Sequence, residues 1–286
     1  MKNSQMLGLC WGSVPGGSLT DIAEAAARNG FASITITPGH YLDALDGWTD
    51  RQIRQRLSDL RMRVSVIDPL IGVLPGTPAV DDVDPAMRRF FTYTEEECRR
   101  AAETTEAPTI NLAHFLGQPT GIALLQDKVA EIAGRNHEAG FATTLEFIPG
   151  TGIPDLATAV EVVSASPHAR VMFDTWHFAR SDGTVDQLTT LPPGIIGGMQ
   201  ISDRIPPEPG EPYVPMAGRL LPGEGSLPLE QILVYIEANS PGLDVCMEVF
   251  SASLKEMGWA AAGRRLAASG RAVLAGAGVE FAEDAA

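Results

Sequence analysis

Strand-like and helix-like segments alternate eight times along this chain, with no break in composition between them. The strand-like runs are Met6–Cys10, Ser33–Thr37, Arg63–Ile67, Thr109–Leu112, Ala142–Phe147, Arg170–Phe173, Ile195–Ile201 and Leu243–Val249. Helical spacing of apolar residues marks Ser18–Asn29, Thr49–Leu60, Thr94–Thr104, Ile122–Ala139, Leu156–Ala165, Val185–Leu188, Leu229–Ala238 and Lys255–Leu274. In the first of these, Leu19, Ile22, Ala23 and Ala26 share a face, and Gly30 stops the helix. Strict alternation in 286 residues predicts one α/β domain over residues 1–286. Eight repeats favour a closed (β/α)8 TIM barrel over an open sheet.

Four of the later strand-like runs end in a polar residue. Thr143-Thr144-Leu145 ends in Glu146, Val171-Met172-Phe173 in Asp174, the run to Met199 in Gln200, and Cys246-Met247 in Glu248. An unpaired carboxylate in a core costs several kcal/mol or is forced neutral, so these acids are poor core residues. In a parallel barrel, however, the carboxy-terminal strand ends open onto one face, where catalytic groups collect. Glu146, Asp174, Gln200 and Glu248 then form a set of oxygen donors suited to a hard divalent cation such as Mn²⁺ or Mg²⁺.

His177 follows Asp174 by three residues and can reach a ligand at the same mouth. Arg219 lies in the constrained segment Gly218-Arg219-Leu220-Leu221-Pro222-Gly223-Glu224-Gly225, within a Pro- and Gly-rich loop from Arg204 to Gly225. His40 and His114 each follow a strand-like run on the inferred face, and Trp176 adjoins His177; His114 and Trp176 join the substrate-binding candidates. A loop of such length is unusual unless functional.

Composition narrows the partners. The net charge of −15 repels polyphosphate backbones and gives no attraction to anionic membranes, so neither is an expected partner. Cys10, Cys98 and Cys246 are scattered, form no CxxC pair, and fit a reducing, cytoplasmic compartment without disulfides. No signal-peptide core or membrane span is visible, and no GxGxxG or GxxxxGK[ST] fingerprint marks a nucleotide site. A small-molecule substrate is the expected partner, with homo-oligomerisation left open.

From Leu145 to Leu274 the chain resembles the xylose isomerase-like TIM-barrel superfamily, in its sugar phosphate isomerase/epimerase branch. The matching pieces are Leu145-Glu146-Phe147, Phe173-Asp174-Thr175-Trp176-His177-Phe178, Gln200-Ile201-Ser202-Asp203, Arg219 to Gly225, and Cys246-Met247-Glu248-Val249. The resemblance implies one divalent metal on Glu146, Asp174, Gln200 and Glu248, with His177 and Arg219 contacting substrate. Many members place histidine where this chain has Gln200. An amide oxygen is a weaker, harder donor, which shifts the expected metal toward Mn²⁺ or Mg²⁺.

The expected function is a metal-dependent isomerase or epimerase of a sugar, polyol or keto-sugar derivative, working through an enediolate-type intermediate. Glu146 and Glu248 would serve as the catalytic acid–base pair. One alternative expels a leaving group after the same first step, giving a dehydratase or lyase on a keto-sugar, inosose-like or glycoside substrate. A second is a non-catalytic barrel subunit.

Overall fold

Eight parallel strands close into a barrel in strict sequence order in the computed structural model, which describes residues 7–206, 214 and 218–278. The strands are β1 (Leu7–Leu9), β2 (Ser33–Ile36), β3 (Arg63–Leu70), β4 (Thr109–Ala113), β5 (Ala142–Glu146), β6 (Ala169–Asp174), β7 (Ile196–Ile201) and β8 (Val245–Met247). Closure comes from β8 pairing with β1, with Leu7 opposite Val245 and Leu9 opposite Met247. Around the barrel lie α1 (Leu19–Arg28), α2 (Pro38–Ala44), α3 (Asp50–Asp59), α4 (Glu95–Thr105), α5 (Ile122–Glu138) and α6 (Leu156–Val163). The circuit continues with α7 (Thr175–Arg180), α8 (Val185–Leu188), α9 (Leu229–Asn239), α10 (Ala252–Met257) and α11 (Trp259–Gly276). This is the expected (β/α)8 barrel.

Helix starts follow local chemistry. Ser18, Thr37, Thr49 and Thr94 each cap a helix and exchange hydrogen bonds with the residue three positions on. The helix α2 was not expected, since Pro38-Gly39 reads as a turn. Proline is nonetheless well suited to a first helical turn, where its missing N–H costs nothing, and Thr37 supplies the cap. The expected final helix is two, α10 and α11, broken at Gly258 with its φ of 73°. Strand β3 runs past Asp68-Pro69 to Leu70, three residues beyond the expected end.

Apolar strand residues pack inward and against the helices in one continuous core that includes Leu9, Ile34, Ile67, Leu112, Leu145 and Phe173. A smaller apolar cluster stands apart at the carboxy-terminal mouth, built from Ile71, Val83, Phe91, Ala113 and Ile148. The three cysteines are buried and unpaired. Among the described residues no helix is long and apolar enough to cross a membrane. Of the loop Arg204–Gly225, residues 207–213 and 215–217 lie outside the described residues, as does Met6 of the first strand-like run.

Candidate active site

Strands β5 to β8 deliver four buried polar side chains to one end of the barrel. Glu146 closes β5, Asp174 closes β6 opposite Gln200 of β7, and Glu248 follows β8. Asp174 has no exposed surface, and its carboxylate is divided between two tasks. Its Oδ1 accepts the backbone N–H of Trp176 (2.6 Å) and of His177 (3.3 Å), capping α7 directly from the strand end. Its Oδ2 accepts Arg219 Nη1 at 2.7 Å. Burial works against the Asp174 charge, but Arg219 and His177 outweigh it and hold the carboxyl near 2.

Arg219 ties the set together. The same Nη1 lies 3.0 Å from Glu248 Oε2, and the guanidinium stacks over Trp176 at 5.1 Å and Phe250 at 5.4 Å. Asp203 does much to fix the segment that carries it. Asp203 bridges to Leu220 through paired backbone hydrogen bonds, and its carboxylate accepts the N–H groups of Gly223, Gly225 and Leu227 at 2.9 to 3.0 Å. A Cβ on residue 225 would meet Asp203 Oδ1 at 2.3 Å and Arg204 O at 2.4 Å, so only glycine permits that closeness. Arg204 is itself buried and packs this loop.

His177 Nε2 stands 3.2 Å from Glu146 Oε1 and 3.5 Å from Arg219 Nη2. Gln200 Nε2 donates to Glu248 Oε1 at 2.9 Å and to Asp68 Oδ2 at 3.0 Å, while its Oε1 is buried without a partner. Asp68, from β3, was not singled out in the sequence, and neither was Asn111 from β4. Asn111 Nδ2 donates to Asp68 Oδ1 (2.7 Å) and to Glu146 Oε2 (3.2 Å), and its own Oδ1 accepts from Thr144. Asp68 carried the same signal as the others, a carboxylate ending an apolar run, but the proline after it reads as a turn. Cys10 completes the ring, its thiol donating to Glu248 Oε1 at 3.2 Å.

Two expected substrate contacts face elsewhere. His114 lies under Gly117 and Gly152 with Nε2 2.9 Å from Pro75 O, so it braces loops behind the pocket. Trp176 is 3% exposed and supports Arg219 from beneath, because the turn of α7 directs it into the protein. His40 caps α2 through Thr37 and lines a neighbouring cleft; burial lowers it to about 4.

Four buried carboxylates, Asp68, Glu146, Asp174 and Glu248, thus face Arg219 and His177. The excess negative charge shows in the acids that Arg219 does not fully satisfy. Burial pushes Glu248 well above the usual carboxylate range against the pull of Arg219, with Asp174 and Glu146 adding to the rise. Burial and the nearby Glu146 push Asp68 up to about 7. The donor set fits a divalent cation. Ligating atoms of Glu146, Asp174 and His177 lie within 4.8 Å of one another, as do those of Cys10, Asp68 and Glu248, and Gln200 brings an unpartnered oxygen.

Residues 23–273 match the model of the xylose isomerase-like TIM barrel family, and the chain belongs to that family. No curated protein matches it in sequence. Solved structures share its fold at low identity. One is an IolI protein with a bound zinc atom, at TM-score 0.82 and 14% identity, covering 98% of this chain and 100% of that one. Another is D-psicose 3-epimerase with D-tagatose from Clostridium cellulolyticum H10, at TM-score 0.69 and 15% identity, covering 94% and 98%. A third is the probable 3-DHS dehydratase AsbF of petrobactin synthesis from Bacillus anthracis, at TM-score 0.67 and 19% identity, covering 93% and 98%.

Proposed function

We propose that this chain is a divalent-metal-dependent isomerase or epimerase acting on a sugar, polyol or keto-sugar derivative through an enediolate-type intermediate. The observation that carries the reading is one pocket lined by Glu146, Glu248, His177 and Arg219, with Asp174 buried beneath. Membership of the xylose isomerase-like family supports it, as does likeness in fold to an epimerase and a dehydratase. Glu146, Asp174, Gln200 and Glu248 would hold the ion, Gln200 through the oxygen that now lacks a partner. Its carboxylate- and amide-rich donors favour Mn²⁺ or Mg²⁺. When bound, such an ion polarises adjacent carbonyl and hydroxyl oxygens.

The protein's own groups handle the protons. Glu146 enters from β5 and Glu248 from the end of β8, so they approach a bound substrate from different directions. Glu146 takes the proton beside the carbonyl. Glu248, reaching the substrate from the other side, returns one. Asn111 and His177 grip the two oxygens of Glu146 and fix its aim. Arg219 presents an Nε–H without a partner, a donor for a substrate oxygen.

Changing either glutamate to glutamine should lower kcat by about 10²–10⁴-fold with a much smaller effect on KM. In ²H₂O, Glu146→Gln should abolish deuterium uptake at the carbon beside the carbonyl, while Glu248→Gln retains uptake and blocks product. Full activity in either variant overturns the reading. A dehydratase or lyase is the second reading, because His177 sits 3.2 Å from Glu146 as a candidate acid for a leaving oxygen. Mass spectrometry of products separates the two: elimination loses water or an aglycone, and isomerisation leaves the mass unchanged.

A further inference from the structure

The pocket has two unlike walls. Asp68, Glu146, His177, Arg219 and Glu248 form one, and Ile71, Met87, Phe90, Ala113, Phe115 and Ile148 form the other. The second wall continues into the small apolar cluster at the mouth, separate from the barrel core. Its aromatic members are not used up by packing. Phe90 and Phe115 are only half-buried, and Trp11 stands beside them with its ring 5.6 Å from Phe90 at a 31° tilt. Phe250 meets Trp11 edge-on at 5.6 Å, closing the corner where the two walls join. At that corner the Trp11 indole N–H is directed at the Asp68 carboxylate, whose charged form it favours.

A free hexose or cyclitol bears oxygen on nearly every ring carbon. Seated against the carboxylates, it would turn hydroxyls toward Ile71, Ala113, Phe115 and Ile148, none of which offers a side-chain hydrogen-bonding group. Each hydroxyl buried there loses water without gaining a partner, which disfavours binding. A hydrocarbon ring on that side gains instead, since it covers half-exposed aromatic surface. The neighbouring cleft shares Trp11 and Phe90 as its inner wall, so a ring leaving the pocket on that side stays in contact with protein.

We infer that the pocket, about 70 Å³ in itself, recognises together with the neighbouring cleft of about 720 Å³ a sugar or polyol carrying an aromatic or comparable apolar ring, the oxygenated part on the carboxylate wall and the ring against Phe90 and Phe115. This rests on the proposal that the pocket takes an oxygenated carbohydrate-like substrate, and it narrows that class.

The test measures binding of methyl and phenyl β-D-glucopyranosides, galactopyranosides and xylopyranosides to Mn²⁺-loaded protein by calorimetry, with saturation-transfer NMR on the phenyl compounds. For the configuration that binds, phenyl should bind at least about 10-fold more tightly than methyl, with the strongest saturation on the aromatic protons. Phe115→Ser and Met87→Ser, at half-buried positions, should each narrow that ratio through weaker binding of the phenyl glycoside. Equal binding of the two glycosides, or a ratio unchanged in both variants, overturns the inference and leaves the carbohydrate reading standing. If no glycoside of either kind binds although Mn²⁺ does, both readings fall.

Discussion

One side of the barrel mouth, built from the ends of β5 to β8 with Asp68 of β3, is charged, whereas residues from the loops after β3, β4 and β5 line the other with hydrocarbon. The two halves are held by different physics. On the charged side each group is placed by another: Asp203 pins the Arg219 loop, Arg219 joins Asp174 to Glu248, and Asn111 joins Asp68 to Glu146. On the apolar side placement comes from packing of Ile71, Val83, Phe91, Ala113 and Ile148, a cluster small enough to leave aromatic faces in contact with solvent. A directional network can aim protons at one carbon, and an apolar wall can only choose which ligand face turns toward it. On the proposed function, chemistry and selectivity are divided between the two halves.

The largest effect should come from cutting the charged side at its anchor. Asp203→Ala removes the acceptor of the Gly223, Gly225 and Leu227 N–H groups at once and frees the segment that aims Arg219. Urea unfolding should show a loss of about 3–5 kcal/mol, as expected when several buried N–H groups lose a charged acceptor at about 1–3 kcal/mol each. Parent-like stability would mean that the loop is held by other contacts. Arg219 could then not be said to depend on Asp203.

A pH series sharpens the contrast within the charged side. Asp68, pushed up to about 7 by burial and Glu146, keeps a proton in the folded protein that the unfolded chain releases from about pH 4 upward. Its contribution to the stability of metal-free protein therefore falls as pH rises from about 4 to about 7. Asp174, held near 2, behaves oppositely: its stabilisation is present above about pH 4 and is lost on acidification toward 2. Asp68→Asn should accordingly raise the stability of chelator-treated protein at pH 8 by about 2–4 kcal/mol, with no gain at pH 4. Saturating Mn²⁺ should shrink that gain, because the added positive charge relieves the crowding of carboxylates. An equal gain at both pH values would show that the Asp68 charge is not what strains the site.

The smallest effect should lie on the outer rim of the same loop. Glu224 pairs with Arg265 at 2.5 Å, but both side chains are nearly half exposed. Arg265→Ala should change stability by no more than about 0.5 kcal/mol. A larger loss would shift the anchoring of the loop from Asp203 to its surface.

The same division explains what the sequence made legible. Alternating segments announced the barrel, and Glu146, Asp174, Gln200 and Glu248 stood out because each polar residue ends an apolar run. The structure brings these four into one hydrogen-bonded group with His177 and Arg219. Asp68 escaped notice because β3 continues through a proline that reads as a stop. Asn111 and Cys10 were hidden inside strand-like runs, where nothing local tells an inward-facing side chain from one at the mouth. His114 and Trp176 showed the converse fault: sequence position placed them near the mouth, and side-chain direction turned them away. The apolar wall is assembled from separate loops, so its meeting with the carboxylates emerges only once the barrel closes.

On the proposed function, the charged half of the mouth holds a divalent ion. Calorimetric titration of chelator-treated protein with Mn²⁺, in the parent and in Asp174→Ala, tests it most directly. One ion per chain should bind the parent, and the variant should bind at least about 10-fold more weakly while unfolding as a single cooperative transition. Equal affinity in the two proteins, or no saturable binding by the parent, would contradict the account.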